Sequence, residues 1–315
     1  MGFPQLNVDD ENERVNSMLY ESWLTKHPSA LNSFDQMLNS ALGRKIVVFL
    51  DYDGTLSNIV DNPDLAYMTP QMQKTLKKVV QCFPTAIISG RGREKVRDFV
   101  ELDNVWYAGS HGLDIAAPLQ SFKYGDPKHQ TRVLDKMGNE IVLFQPAKKY
   151  LPEIQKLLVT LDEKTKDING VLIENNTFCV SVHFRHVNDE DYSTLENLVK
   201  SVVKEYQCFR MAKGKMVFEI RPNMEWNKGH ALNYFLDTLG FGNSDEFIPL
   251  YIGDDRTDED AFKAIRIRGE GFPIIVSSSP RETKALYSLK NPSEVNKFLS
   301  RLVRWYSIKF SEKSS

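Results

Sequence analysis

The stretch IVVFLDYDGT, residues 46–55, decides the fold of this chain. Its first five residues are apolar without a break, which is typical of a strand buried on both faces of a parallel sheet. Two carboxylates, Asp51 and Asp53, follow at the end of the strand, and Gly54 and Thr55 come next. Ligand sites of α/β sheets lie beyond the carboxyl ends of their strands. Taken alone, the stretch could also be an ordinary turn, because Asp and Gly are common turn residues.

Two further predicted strands also end in polar residues. The strand at 85–88 ends before Ser89, and the strand at 248–252 ends shortly before Asp254 and Asp255. The carboxyl ends of parallel strands lie at one edge of a sheet. We therefore expect these side chains to meet the two carboxylates of the first strand.

Two predicted helix starts supply the remaining candidate functional residues of the main unit. Lys228 begins one helix, where a cation opposes the helix dipole, so a solvated lysine is the ordinary alternative. Thr257, Asp258 and Asp260 begin another helix, and helix capping is the interpretation that we prefer for Asp260.

The order of predicted elements divides the chain into two units. Strands alternate with helices over most of it, which predicts an α/β fold with a doubly wound, Rossmann-like parallel sheet. Helices and hairpins between two parts of that pattern predict an inserted α+β unit, and another hairpin is expected around Lys136 to Glu140. The predicted divisions are an N-terminal extension at 1–40, a main unit at 41–145 and 223–315, and the inserted unit at 146–222.

The composition excludes several classes of protein. The formal net charge is -2, the sequence pI is about 6.3, and no long block of Lys or Arg occurs, so we expect no nucleic acid partner. Cys82, Cys179 and Cys208 lack the spacing of a zinc site and predict a reducing compartment. The start of the chain resembles neither a secretory signal nor a transit peptide, and no apolar run reaches membrane-spanning length. We expect a cytoplasmic protein, with chloroplast and nucleus as alternatives.

The order Asp-x-Asp, Ser, Lys, Gly-Asp-Asp resembles the four motifs of the haloacid-dehalogenase-like phosphotransferases. The resemblance implies that Asp51 is the nucleophile and Asp53 the general acid and base. It also implies Mg²⁺, held by Asp51, the main-chain carbonyl of Asp53 and Asp254, with Asp255 and Asp258 behind these ligands. Such an ion would offset the repulsion between a carboxylate nucleophile and a phosphate dianion.

The same resemblance implies a cradle for the phosphoryl oxygens. Lys228 and the hydroxyl of Ser89 would hold these oxygens, and backbone N–H groups around Gly54 and Thr55 would complete the cradle. The second acid of the first motif favours hydrolysis, because related phosphotransferases without it stall at the phosphoenzyme.

Longer segments resemble the plant trehalose-6-phosphate phosphatases, over about residues 45–306: LDYDGTLSNIVDNPD, YAGSHGLDI, ENNTFCVSVHFR, VFEIRP and YIGDDRTDEDAFK. The resemblance implies a haloacid-dehalogenase-like core, with the inserted unit as a cap that closes over the disaccharide and excludes water. It also implies that Glu174 and Glu219 bind sugar hydroxyls. Thr177 stands where that family usually has a lysine, and loss of this cation could weaken binding of trehalose 6-phosphate.

Four more polar residues are candidates for sugar contacts. His183 and Arg185 alternate along a predicted strand, and Ser110 and His111 follow the strand at 105–107 near the cap. Polar residues with a period of two are by default the wet face of a sheet. A capped turn explains Ser110 and His111 nearly as well.

Three competing functions stay open at this point. A capped phosphatase for another sugar phosphate, such as sucrose phosphate, would use the same motifs and differ only in the cap. A sensor would bind a sugar phosphate without turnover, which the intact motif residues oppose. A phosphomutase would also need both aspartates, but the large cap favours release of free sugar. We expect a monomer whose partner is a small sugar phosphate, without a nucleic acid or membrane partner.

Overall fold

A computed structural model of the chain describes residues 18–118, 129–135, 138–243 and 245–311. The helices of these ranges are α1 (18–26), α2 (Phe34–Ser40), α3 (Pro70–Cys82), α4 (Arg93–Val100), α5 (Leu151–Thr165), α6 (Asp189–Glu205), α7 (Lys228–Thr238), α8 (Asp258–Arg268) and α9 (Pro292–Ser311). The strands are β1 (Lys45–Leu50), β2 (Thr85–Ile88), β3 (Trp106–Gly109), β4 (Asp114–Pro118), β5 (Gln130–Leu134), β6 (Glu140–Phe144), β7 (Leu172–Asn175), β8 (Val180–His183), β9 (Phe209–Gly214), β10 (Val217–Pro222), β11 (Phe247–Gly253), β12 (Phe272–Val276) and β13 (Tyr287–Leu289).

The larger sheet of the described residues has the strand order β13-β12-β11-β1-β2-β3-β4-β6-β5. Neighbouring strands from β13 to β3 are parallel, whereas β4, β6 and β5 join antiparallel at one edge. Parallel neighbours need crossover connections, which bring helices onto both faces of the sheet. The predicted doubly wound α/β core is confirmed, and β1 lies near its middle.

The apolar run of β1 is buried because helices cover both faces of the sheet. Val48 and Leu50 belong to a cluster that includes side chains of α3 and α9. Val47 and Phe49 belong to a second cluster with side chains of α7 and α8. Alternate residues of a strand point to opposite faces. Because both faces of β1 are covered by apolar clusters, its residues from 46 to 50 are all apolar.

Local sequence signals fix where two helices begin. The Thr69 side chain accepts a hydrogen bond from the main-chain N–H of Met72, and Pro70 occupies the first turn of α3. In the same way, the Asn227 side chain accepts from the main-chain N–H of His230 at the start of α7. Both caps satisfy backbone donors that the helix itself leaves unpaired.

The smaller sheet has the order β7-β8-β10-β9 and is antiparallel. Helices α5 and α6 cover one of its faces and share a cluster with residues such as Val180 and Phe218. Their neighbours along the strands, Ser181 and Glu219, line a cavity on the other face. The inserted α+β unit is confirmed as part of the fold, and its boundaries at 146 and 222 stay a prediction.

The end of the predicted N-terminal extension packs against the large sheet. Trp23 of α1 and Phe34 of α2 are buried, and the Phe34 ring meets Phe298 of α9 edge-on at 5.5 Å. Residues 1–17 lie outside the described ranges, as do residues 136 and 137 of the hairpin predicted between β5 and β6. No helix in the described part of the chain combines the length and the apolar character needed to cross a lipid bilayer.

Candidate active site

An open cavity of about 1450 Å³ lies between the carboxyl edge of the large sheet and the exposed face of the small one. The large sheet contributes Asp51 and Asp254 to its wall, and the small sheet contributes Glu174 and Glu219. We call these two parts the core end and the cap end of the cavity. Strand ends and helix starts of the large sheet build the core end, as the sequence predicts.

Asp51 and Lys228 form the centre of the core end. The nearly buried Asp51 carboxylate accepts a hydrogen bond from Lys228 Nζ at 2.8 Å, and the same Nζ donates to Asp258 Oδ1 at 2.7 Å. Burial raises the pKa of Asp51 well above its usual value, although Lys228 opposes this shift. Burial also favours the neutral amine of Lys228, but Asp258 and Asp51 outweigh it and hold the lysine pKa well above normal. Lys228 is therefore an ion-paired residue and not a solvated one.

Asp254 completes an acidic group that fits a divalent cation. Carboxylate oxygens of Asp51, Asp254 and Asp258 all lie within 4.8 Å of one another. Asp254 Oδ1 is buried and has no hydrogen-bond partner among the described residues. Burial, together with Asp255 and Asp258, raises the pKa of Asp254 well above its usual value. Clustered carboxylates with an unused oxygen suit a hard ion such as Mg²⁺, which takes oxygen ligands.

Gly54 lets the loop after β1 approach the acidic group. Its φ of +76° is a left-handed conformation that favours glycine. A Cβ at this position would overlap the Asp254 carboxylate. The backbone that carries the predicted carbonyl ligand of Asp53 therefore lies directly beside the acidic group.

Asp258 is buried behind the core end, whereas Asp255 lines the cavity beside Asp254. Asp258 accepts hydrogen bonds from the Tyr251 hydroxyl at 2.7 Å and from the main-chain N–H of Asp255 at 3.0 Å. Burial raises the pKa of Asp258 to about 6, whereas Lys228 and Thr257 lower the pKa of Asp255 against the effect of burial. Thr257 precedes α8 without a capping hydrogen bond from its side chain, and its hydroxyl donates to Asp255 Oδ1 at 2.7 Å.

Arg91 clamps the side chain of Asp53. Its Nε and Nη2 donate to the two Asp53 carboxylate oxygens at 2.6 and 2.7 Å, and its Nη1 donates to the Pro63 carbonyl at 2.7 Å. The guanidinium also lies over the rings of Tyr52 and Phe99. One buried arginine thus occupies both oxygens of the predicted acid and base. Sequence reasoning assigned no role to Arg91.

Ser89 and Thr55 lie below the floor of the cavity. Both side chains are fully buried and neither lines the cavity, whereas Gly54 and Lys228 do. Ser89 Oγ accepts a hydrogen bond from the main-chain N–H of Arg91 at 3.2 Å. Thr55 Oγ1 has no hydrogen-bond partner in the described part of the chain. The Ser89 hydroxyl, which was predicted to hold a phosphoryl oxygen, is thus screened from the cavity, whereas the prediction for Thr55 concerns its backbone N–H and not its hydroxyl.

Glu174 anchors the cap end through residues of both units. Lys95 of α4 donates to Glu174 Oε1 and also contacts Asp64 at 2.6 Å, and His183 Nε2 lies 3.0 Å from Glu174 Oε2. Burial opposes ionisation, but the hydrogen bonds from His183 and Lys95 lower the pKa of Glu174 to about 2. Lys95 is a contact that sequence reasoning missed.

Glu219 lies on the neighbouring wall of the cap end. His111 Nε2 is 3.0 Å from Glu219 Oε1, and Arg221 is 3.5 Å from Glu219 Oε2. Although burial opposes ionisation, His111 and Arg221 lower the pKa of Glu219. Both predicted sugar-binding glutamates are therefore paired with basic side chains.

The turn at Ser110, His111 and Gly112 supports the cap from below. All three residues have positive φ, at 51°, 56° and 92°, a conformation that costs a non-glycine residue on the order of 1–3 kcal/mol. The Ser110 hydroxyl is buried and donates to the main-chain carbonyl of Asn176. The prediction of a direct sugar contact needs correction for Ser110, which does not line the cavity, whereas His111 does.

Two further cap residues differ from the sequence-based expectation. Strand β8 ends at His183, so Arg185 lies beyond it, where it contacts Asp61 at 3.3 Å. The predicted alternation along one strand is therefore wrong for Arg185, although both side chains line the cavity. Thr177 has a positive φ of 69° in the turn after β7 and does not line the cavity.

The chain is similar to known proteins over most of its length. Residues 49–293 match the family of trehalose-phosphatases. The chain is 52% identical to trehalose-phosphate phosphatase B of Arabidopsis thaliana, over 90% of this chain and 73% of that protein. It is 50% identical to probable trehalose-phosphate phosphatase D of the same plant, over 96% of this chain and 77% of that protein. The C-terminal domain of trehalose-6-phosphate phosphatase from C. albicans has the same fold, with a TM-score of 0.68, 21% identity, and coverage of 88% of this chain and 99% of that one.

Proposed function

The chain belongs to the trehalose-phosphatase family, and from this premise we propose that it hydrolyses trehalose 6-phosphate to trehalose and inorganic phosphate with Mg²⁺ as cofactor. It is a phosphomonoester hydrolase. One observation carries the choice of substrate class: a single cavity joins the core end, with Asp51 and Lys228, to the cap end, with Glu174 and Glu219. A phosphate group suits the first pair, and sugar hydroxyls suit the carboxylates of the second.

The acidic group supports the choice of cofactor. Asp51, Asp254 and the main-chain carbonyl of Asp53 would hold Mg²⁺, with Asp255 and Asp258 behind them. When bound, the ion would neutralise negative charge on the phosphoryl oxygens and reduce the repulsion between the neighbouring carboxylates. The unpaired Asp254 Oδ1 and the raised pKa of Asp254 are the observations that favour a cation here.

In the first half of the reaction, Asp51 attacks the phosphorus atom. A bond forms between a carboxylate oxygen and phosphorus, the bond from phosphorus to the sugar oxygen breaks, and Asp53 gives a proton to that oxygen. Lys228 donates to the phosphoryl oxygens, and backbone N–H groups around Gly54 and Thr55 assist it. Ser89 would support the segment after β2, which carries Arg91, through its contact with the Arg91 backbone.

In the second half, water attacks the aspartyl-phosphate and releases Asp51. Asp53 takes the proton from this water, so that the acid of the first step is the base of the second. Arg91 donates one hydrogen bond to each carboxylate oxygen of Asp53, and each oxygen keeps a further lone-pair site through which it can meet the leaving oxygen or the water. The proposal thus gives Arg91 the role of holding Asp53 at the cavity wall between the two steps.

At the cap end, Glu174 and Glu219 would accept hydrogen bonds from sugar hydroxyls, with His111, His183 and Arg185 beside them. Ser110 would act indirectly, through its hydrogen bond to the cap backbone at Asn176. A monomeric state, a cytoplasmic location and the lack of a nucleic acid partner stay predictions from the sequence.

Phosphate release from a panel of esters tests the proposal. The panel contains trehalose 6-phosphate, sucrose 6-phosphate, glucose 6-phosphate and p-nitrophenyl phosphate, each with Mg²⁺ and with EDTA, and Asp51→Asn gives the blank. We expect Mg²⁺-dependent turnover that is fastest with trehalose 6-phosphate. Preference for another sugar phosphate would overturn the substrate assignment alone. Rates at the level of Asp51→Asn for every ester would overturn the proposed catalysis.

A further inference from the structure

The segment from α1 to residue 30 is built onto one edge of the large sheet. Ser29 forms a parallel bridge with Ser288 of β13, the main-chain N–H of Ala30 donates to the Ser288 carbonyl at 2.8 Å, and the Ser288 N–H donates to the Pro28 carbonyl at 3.0 Å. The Ser288 hydroxyl donates to the His27 carbonyl at 2.8 Å. The short edge strand β13 is therefore covered by the N-terminal segment, which protects its free backbone groups.

The same segment holds the loop that precedes β13. The indole N–H of Trp23 donates to the main-chain carbonyl of Arg281 at 2.7 Å, and His27 Nδ1 lies 2.9 Å from the Ala285 carbonyl. The buried Trp23 ring contacts the rings of Tyr20, with centroids 5.7 Å apart, and of His27, at 5.1 Å. Two ring contacts restrain the direction of the indole N–H, so Trp23 helps to fix the position of the Arg281 backbone.

Arg281 links this loop to the acidic group at the core end. Its Nη1 donates to the main-chain carbonyl of Asp254 at 2.8 Å, and its side chain lines the cavity. This carbonyl belongs to the first peptide after β11, directly beyond the last residue that the strand itself holds. A hydrogen bond at that position restrains the peptide and hence the direction in which the Asp254 carboxylate leaves the backbone.

We infer that Arg281 is a positioning residue for Asp254, and that α1 keeps Arg281 in place through the Trp23 hydrogen bond. The inference rests on the proposed function, since it takes Asp254 as a ligand of Mg²⁺. A continuous series of contacts supports it: indole N–H to Arg281 carbonyl, and Arg281 guanidinium to Asp254 carbonyl. The role of the segment at 18–30 is then to set the geometry of a metal ligand that lies more than two hundred residues later in the sequence.

Direct measurement of Mg²⁺ binding tests the inference on the full chain. We would compare wild type with Arg281→Met, Arg281→Lys and Trp23→Phe by isothermal titration calorimetry and by the shift of melting temperature with Mg²⁺. Arg281→Met should weaken Mg²⁺ binding by about 10- to 100-fold, the usual cost of losing a group that orients a metal ligand. Arg281→Lys should restore part of it. Trp23→Phe keeps an aromatic ring but loses the indole N–H together with the five-membered ring, and a smaller loss of roughly 3-fold is expected because Arg281 itself is kept.

Lys284→Ala is the matched control, because this exposed cation belongs to the same loop. It should bind Mg²⁺ as wild type does. The double variant Arg281→Met/Trp23→Phe should bind no more weakly than Arg281→Met, because the two residues act through one contact. In Arg281→Met, Arg281→Lys and Trp23→Phe, turnover relative to wild type should fall less at saturating Mg²⁺ than at low Mg²⁺.

Each outcome decides between the proposals. If wild type binds Mg²⁺ and the Arg281 and Trp23 variants bind it equally well, the inference is wrong and the proposed function stands. If the variants lose thermal stability but keep the Mg²⁺ affinity of wild type, the contacts are only structural and the inference is also wrong. If wild type neither binds Mg²⁺ nor releases phosphate, both the proposed function and the inference fall. If Arg281→Met does not fold, Arg281→Lys and Trp23→Phe give the same decision.

Discussion

Carboxylates at the two ends of the cavity have opposite electrostatic environments. At the core end, Lys228 contacts both Asp51 and Asp258, and the pKa values of these two acids and of Asp254 are raised. At the cap end, basic partners lower the pKa values of Glu174 and Glu219. Burial is the largest cause of the rise in pKa at the core end, and neighbouring acids add to it. Asp51, Asp254, Asp255 and Asp258 share the charge of Lys228, which favours a cation at the core end. The cap end is already balanced by protein groups, so sugar hydroxyls must compete with them.

The two ends also differ in where their parts come from. Asp51, Lys228 and Asp254 all belong to the large sheet and its helices. In contrast, Glu174 meets Lys95 of α4, and Glu219 meets His111 of the turn after β3. Phosphate chemistry therefore needs one unit of the fold, whereas the predicted sugar site needs two. Substitutions should separate these two functions.

The largest effect is expected at the core end, from Asp53→Asn. Loss of a general acid and base typically lowers turnover by about 10²- to 10⁴-fold. The amide keeps one oxygen for Arg91 and sets its NH₂ group against the other Arg91 donor. Because neither residue is assigned a sugar contact, KM for trehalose 6-phosphate should change little. Steady-state phosphate release measures both constants. Unchanged turnover would show that Asp53 is not the acid and base.

At the cap end, Glu174→Gln and Glu219→Gln should separate sugar recognition from chemistry. Hydrogen bonds to charged groups contribute about 1.5–3 kcal/mol, so kcat/KM for trehalose 6-phosphate should fall about 10- to 100-fold. Turnover of p-nitrophenyl phosphate, which has no sugar, should stay near the wild-type rate.

Glu205→Gln on α6 is the matched control for these cap variants, because Glu205 is an exposed glutamate of the same unit, paired with Lys164. It should behave as wild type with both esters. If the two cavity variants slow both esters equally, the cap end contributes to chemistry and the separation of the two ends is wrong.

A smaller effect is expected on stability, and it should depend on pH. The pKa of Glu174 is about 2 in the folded chain and about 4.3 in an unfolded one, so ionised Glu174 stabilises the fold above the unfolded value. This contribution should be lost as pH falls from about 4.3 towards the folded pKa. Urea unfolding of wild type and Glu174→Gln should differ by about 1–3 kcal/mol at pH 7, with a smaller difference below pH ~4. A difference that grows on acidification would contradict the assigned partners.

The smallest effect should come from Asp61→Asn. This exposed carboxylate contacts Arg185 of the cap at 3.3 Å, and exposed ion pairs contribute about 0–1 kcal/mol. We expect KM within about 2-fold of wild type, and an unfolding free energy within about 1 kcal/mol. A larger loss would mean that the two units are held together at the cavity mouth and not by Glu174 and Glu219.

Sequence reasoning reached the core end because strand ends are visible in the sequence. The apolar run of β1 predicts where Asp51 and Asp53 stand, and the strand before Asp254 does the same for the third acid. The sequence also places Lys228 at this sheet edge, but only the structure shows that its ammonium group pairs with both Asp51 and Asp258.

The cap end and the supporting contacts depend on pairs that have no local signal. Arg91 and Asp53 are 38 residues apart, and Lys95 and Glu174 are 79 apart. Arg91 was the easier one to find, because it directly follows Ser89-Gly90 at a strand end. Lys95 is an ordinary lysine within a helix, and only the packing of two units shows its partner. The Thr257 hydroxyl likewise donates to the Asp255 side chain and makes no capping hydrogen bond to the start of α8.

The partners of Glu174 and Glu219 also bear on how this enzyme could be re-engineered. A cap from a phosphatase with another substrate, grafted at the two junctions, would meet Lys95 and His111 of the original core. These two residues would then be unpaired or would hold the wrong groups. A chimera designed to change the sugar should therefore carry α4 and the Ser110–Gly112 turn along with the cap, so that the exchangeable module is larger than the inserted segment of the chain.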